Sequence, residues 1–215
     1  MKYLTAIRVV SSSLWFLLSF NLFLGCGISQ DWPHFFNPCE NKSVWQVSGD
    51  IKFTKQIKRN DCWFACYSSL INWKNDADHS YLDIYNDLSL KWRTLIDGDS
   101  GLTITDSKPF CDENNLGYYY PQNFTFEGWT SMLTDHGPLW INMGTRYYNH
   151  ARILYKIRCG RSRKKTKFYL FDPATNKKEK WSAERFFHHF EEEAGALVED
   201  GLVDVDWRFQ VIYIK

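Results

Sequence analysis

Four residues with the chemistry of an acyl-transfer site occur in a usable order along the chain: Gln56, Cys62, His150 and Asp172. Cysteine attacks as its thiolate, and a helix N-terminus or a neighbouring imidazolium stabilises that anion. Trp63, Cys66, Leu70 and Trp73 recur at helical spacing, which predicts a helix that begins at Cys62 with Asn60 or Asp61 placed to cap its first turn. His150 could take the thiol proton and later return it, and Asp172 on the other ring nitrogen would fix the imidazole's tautomer and orientation. Gln56 could lend its side-chain amide, beside the Cys62 backbone N–H, to a developing oxyanion.

The bland uses of the same residues stay open. Cys62 could be buried or bridged to Cys66, His150 could be a half-exposed strand histidine, and Asp172 could only start an Asp-Pro turn, with Asn142 and Asn149 as its rivals.

The elements around these residues read as helices first and sheet afterwards, an α+β layout. IKFT at 51–54 suggests a short strand, a second helix is expected near Ser80 to Trp92, and a third near Phe126 to Asp135. Beyond Pro138 come LWINM, HARILYKIRC, the turn GRSRKK and TKFYLFD, all rich in β-branched and aromatic residues. A hairpin closing within Gly160 to Lys164 would set His150 opposite Asp172 on adjacent strands. A helix around SAERFFHHF and a last strand in VDWRFQVIYIK complete the pattern.

QIKRNDCWFAC resembles the active-site segment of papain-like cysteine peptidases, in which a Gln precedes the nucleophile by the same spacing. Asp61-Cys62 followed by Ala65-Cys66 is similar to bacteriocin-leader-processing peptidase domains, and Cys62-Trp63-x-Ala65 is similar to papain-like effector proteases of plant-pathogenic bacteria. GPLWIN, then His150, then YLFDP and SAERFF, resembles the downstream succession of the same families, so the likeness covers about residues 50 to 190. It implies a papain-like fold, peptide-bond hydrolysis, Cys62 as nucleophile, His150 as base and acid, Asp172 as orienting residue and Gln56 as oxyanion donor. Trp63 stands where leader-processing domains carry Gly, and Arg152 puts a charge on a strand that is usually apolar there. The same chemistry could pass the acyl group to an amine rather than water, and the fold could serve a non-catalytic binding or immunity-type lipoprotein.

With 26 Lys and Arg against 25 Asp and Glu, the net charge of +1 gives no sign of a nucleic-acid partner. The basic run from Arg158 to Lys167 reads as a solvated hairpin tip. Residues 1–25 carry Lys2, Arg8 and the apolar run LWFLLSFNLFLG, a signal-peptide pattern. FLGC resembles a lipobox, so Cys26 could be lipidated and attach the exported protein to a membrane, with plain secretion, periplasmic or extracellular, and a retained signal anchor as the alternatives. Residues 26–50 are then an extended approach segment and 51–215 the peptidase domain, with a peptide or protein as substrate. Cys39, Cys66, Cys111 and Cys159 remain for disulfides in an oxidising compartment. CWFAC and HHFE lack a second ligand cluster at usual spacing, so no metal or other cofactor is expected.

Overall fold

The computed structural model describes residues 43–120, 122–145, 148–199 and 210–215. The expected leader, the lipidation candidate Cys26 and Cys39 lie outside these described residues.

A long central helix, α1 (Cys62–Lys74), is buried nearly all round rather than along one stripe. Trp63, Cys66 and Leu70 fill the expected positions, but Ser68, Ser69 and Asn72 are buried as well. Each of these polar side chains has a backbone partner: Ser68 donates to the Phe64 carbonyl, Ser69 to the Ala65 carbonyl, and the Asn72 amide to that of His79. Buried hydroxyls and amides are tolerated on those terms. Three shorter helices follow: α2 (Tyr81–Asp87), α3 (Leu90–Asp97) and α4 (Ile104–Glu113). The single helix expected near Ser80 to Trp92 is therefore two, because Ser80 starts α2 with a reciprocal capping box and Ser89 starts α3 after an extended Leu88. α4 was hidden by its internal Pro109, a residue that ordinarily ends helices.

Seven strands form one antiparallel sheet among the described residues: β1 (Val44–Gln46), β2 (Leu116–Tyr119), β3 (Leu139–Thr145), β4 (Tyr148–Arg158), β5 (Lys167–Asp172), β6 (Lys177–Ser182) and β7 (Val211–Ile214). Their order is β2-β7-β3-β4-β5-β6, and β1 pairs with the far end of β4. Residues 51–54 are not a strand; Phe53 instead stacks on Phe171 at 4.4 Å between ring centroids. β6 escapes sequence reading because KKEKWS is mostly exposed lysine, the usual dressing of a sheet edge.

Side-chain alternation sends the two faces of β5 to different cores. Phe171 joins the α1 cluster with Trp63, Leu70, Trp140, Ile153 and Ile212. Phe168 stacks on Phe186 at 4.1 Å, and Phe186 meets Trp129 edge-on at 5.0 Å, so α5 (Phe126–His136) and α6 (Ala183–Glu199) close a second aromatic core. α1 packs on β3, β4 and β7, which brings its N-terminal residue, Cys62, to the strand that carries His150.

Candidate active site

Cys62 is the first residue of α1, half-buried and not in a disulfide. The amides of a helix's first turn have no partner inside the helix and carry partial positive charge. The residue before it, Asp61, is fully buried, yet its side chain makes no cap. It turns back instead: Oδ2 accepts the Ile57 and Lys58 N–H groups, both at 3.1 Å, and the Tyr81 hydroxyl at 2.6 Å. Burial and the Asp61 hydrogen bond push the Tyr81 phenol far up, which keeps it a donor. Asp61 thus folds residues 56–61 into a tight loop against α2 and fixes the start of α1.

That loop carries Gln56. Its backbone N–H donates to the Pro173 carbonyl at 3.1 Å, tying the loop to the turn after Asp172. Its side-chain amide donates to the carbonyls of Lys58 at 2.9 Å and Arg59 at 3.0 Å, while Oε1 is buried without a partner.

His150 and Asp172 meet, though not in the expected register. β4 and β5 pair Ile153 with Phe171, which places Arg152, not His150, opposite Asp172; a bulge between Leu154 and Lys156 shifts the outer half of the hairpin. His150 lies two residues from Arg152 and reaches Asp172 diagonally, a distance that long side chains span. Its Nε2 bonds Asp172 Oδ1 at 2.8 Å, with both residues buried. An ionised carboxylate only accepts, so Nε2 carries the proton and Nδ1 is left for the Cys62 thiol, with which His150 is also hydrogen-bonded.

Burial pushes the His150 imidazole down, but the hydrogen bonds to Asp172 and Cys62 outweigh it, and the ring is held above its ordinary range. Burial likewise works against the Asp172 carboxylate, yet His150, the Arg152 guanidinium and the Ala174 N–H hold it down at about 2. Arg152 Nη2 donates to Asp172 Oδ2 at 3.2 Å, and Nε lies 3.7 Å from Glu179 Oε2. The charge that looked out of place on the strand therefore neutralises the Asp172 carboxylate. An Arg two residues after the His, on the same face, was the available signal.

Cys66 and Cys111 are free and buried, so neither forms the disulfide expected of them, and the Cys62–Cys66 bridge does not exist. Burial pushes the Cys66 thiol well up, and Cys111 up to about 12, so both are inert at neutral pH. Cys159 is disulfide-bonded. Asn142, a rival for the orienting role, accepts the Trp140 indole N–H at 2.7 Å instead. Trp63 is buried and donates to the Ser100 carbonyl, anchoring the first turn of α1. Among the described residues no three His, Cys, Asp or Glu side chains gather as metal ligands.

No curated protein matches the chain in sequence. A family described as papain-like cysteine protease AvrRpt2 matches residues 46–191, a span that holds every residue of this cluster and well over half of the chain. The match is with the papain-like cysteine peptidases that the sequence resembles. The chain is a member of the papain-like cysteine protease AvrRpt2 family.

Proposed function

We propose that the protein hydrolyses peptide bonds with Cys62 as nucleophile, His150 as base and acid, and Asp172 as the group that orients His150. The observation that carries this reading is the continuous Cys62–His150–Asp172 hydrogen-bonded chain at the start of α1. Cys62 gives its proton to His150 Nδ1, and the thiolate attacks the scissile carbonyl carbon. A carbon–sulfur bond forms and the carbonyl electrons move to oxygen, where the Cys62 N–H donates to them. As the tetrahedral adduct collapses, Nδ1–H protonates the departing amine. Water, deprotonated by Nδ1, then cleaves the thioester and restores the thiol. Gln56 enters as second oxyanion donor by exchanging one of its two loop carbonyls for the substrate oxygen.

The domain works outside the cell in this reading, after removal of residues 1–25 and with Cys26 as lipid anchor. The disulfide at Cys159 fits an oxidising compartment. The mass of the mature N-terminus tests the leader. The catalytic reading is tested by incubating the purified protein with a complex peptide mixture and sequencing the new termini. New termini absent with Cys62→Ser and His150→Ala support it; equal cleavage by those variants, or none by the wild type, contradicts it.

A further inference from the structure

The stretch from Lys156 to Lys180 holds ten Lys and Arg against two carboxylates, Asp172 and Glu179, in a chain whose net charge is +1. Both carboxylates are taken by Arg152. The register Lys156–Tyr169–Lys180 runs across β4, β5 and β6. Both ammonium groups lie over the Tyr169 ring, at 5.1 and 5.8 Å from its centroid. One step nearer the active site, Lys178 lies 5.2 Å over Phe53 and 6.0 Å over Tyr155. None of these three lysines forms an ion pair among the described residues.

The row leads to the site. Lys178 pairs with Phe171, one residue before Asp172, and Phe53 is three residues before Gln56. Beside Gln56 a cavity of about 480 Å³ is lined by Lys55, Ile57, Lys58, Arg59 and Ala174. Lys58 is held by the Ile96 and Asp97 carbonyls, whereas Lys55 and Arg59 are exposed.

We infer that this cationic, tyrosine-lined face and the cavity beside Gln56 form one track that binds an acidic segment of the protein substrate next to the cleaved bond. The inference rests on the peptidase reading and names its substrate class. Protection of an edge strand accounts for lysines on β6, but not for Lys156 on an inner strand. From Phe171 to Lys167 an extended chain covers about 13 Å, room for four residues whose alternate carboxylates meet the lysines. A peptide fits this face better than a bilayer, because of the exposed large apolar side chains only Ile57 lies on the track, a single side chain at the cavity beside Gln56, while Leu82, Leu90 and Tyr120 belong to other elements.

The test uses the full protein with Cys62→Ala, so that binding is read without turnover. A fluorescent Glu-rich peptide should bind measurably more tightly than its Gln counterpart, and added salt should weaken the binding. Lys156→Gln/Lys178→Gln/Lys180→Gln should weaken it about tenfold, by analogy with other partly exposed ion pairs, while the wild-type Cys62 alkylation rate is kept in a protein carrying the same three changes. Equal binding of the Glu and Gln peptides overturns the inference. So does tighter binding of a single-stranded oligonucleotide or of phosphatidylserine vesicles, which would assign the face to nucleic acid or lipid. Loss of Cys62 reactivity would speak against the peptidase reading instead, and the two failures are separate.

Discussion

Arg152→Met should raise the pH at which His150 loses its proton by about half a unit to one unit. The guanidinium lies 3.2 Å from Asp172 Oδ2, and a unit pair at that separation interacts by about 5 kcal/mol at an effective permittivity of about 20. Desolvation of both ions removes most of this, so deleting the arginine should cost about 1–3 kcal/mol of folding stability. Its effect on His150 is smaller and has a fixed sign. Residues two apart on a strand are about 7 Å apart, a gross repulsion of about 2 kcal/mol on the same scale, and the Asp172 carboxylate between them cancels part of it. Arg152 already opposes protonation of His150, so its removal lets the ring keep its proton to higher pH. Asp172, without the guanidinium, should move upward too. The assay is a heteronuclear NMR titration of the six histidines, with the His150 signal identified by its absence in His150→Gln. Arg152→Lys, which keeps the charge, should shift less. A His150 titration that is unchanged or moves down in Arg152→Met would refute the reasoning.

Asp172 sits at about 2 in the folded protein against an ordinary 3.8. A depressed carboxylate contributes stability that is present above the ordinary value and lost as pH falls through the folded one, so unfolding free energy should drop by about 2 kcal/mol between those limits in denaturant titrations; Asp172→Asn should remove that dependence. Asp61→Ala leaves two part-buried N–H groups and a phenol without their acceptor and should cost about 2–3 kcal/mol, with Tyr81→Phe costing about 1 kcal/mol, both read from denaturant midpoints. Gln56→Ala should lower kcat about 10- to 100-fold while leaving the rate of Cys62 alkylation within about twofold, since alkylation develops no oxyanion; a parallel fall in both would make Gln56 a support of the loop only.

Much of this was legible because it is local. The helix beginning at Cys62 followed from apolar spacing, and the hairpin followed from β-branched runs around a basic turn. What sequence could not supply was register. The bulge near Leu154 and the exchange of His150 for Arg152 opposite Asp172 come from how β4 pairs with β5 and β1, which no local propensity encodes. Asn60 or Asp61 was expected to cap α1 because either type before a helix commonly does; the pull of Asp61 toward Ile57, Lys58 and Tyr81 is a tertiary effect. The disulfide arithmetic failed for a similar reason, since burial in the α1 core, not pairing, explains Cys66 and Cys111.

The most direct test of the central claim is limiting alkylation of the protein across pH, with the modified cysteine located by mass and a His150→Ala variant alongside. Cys62 should be labelled faster than denatured thiols at about pH 6, Cys66 and Cys111 should stay unmodified, and the His150 variant should lose the advantage. Labelling of Cys62 no faster than of denatured thiols, or equally fast without His150, would contradict a Cys62–His150 catalytic pair.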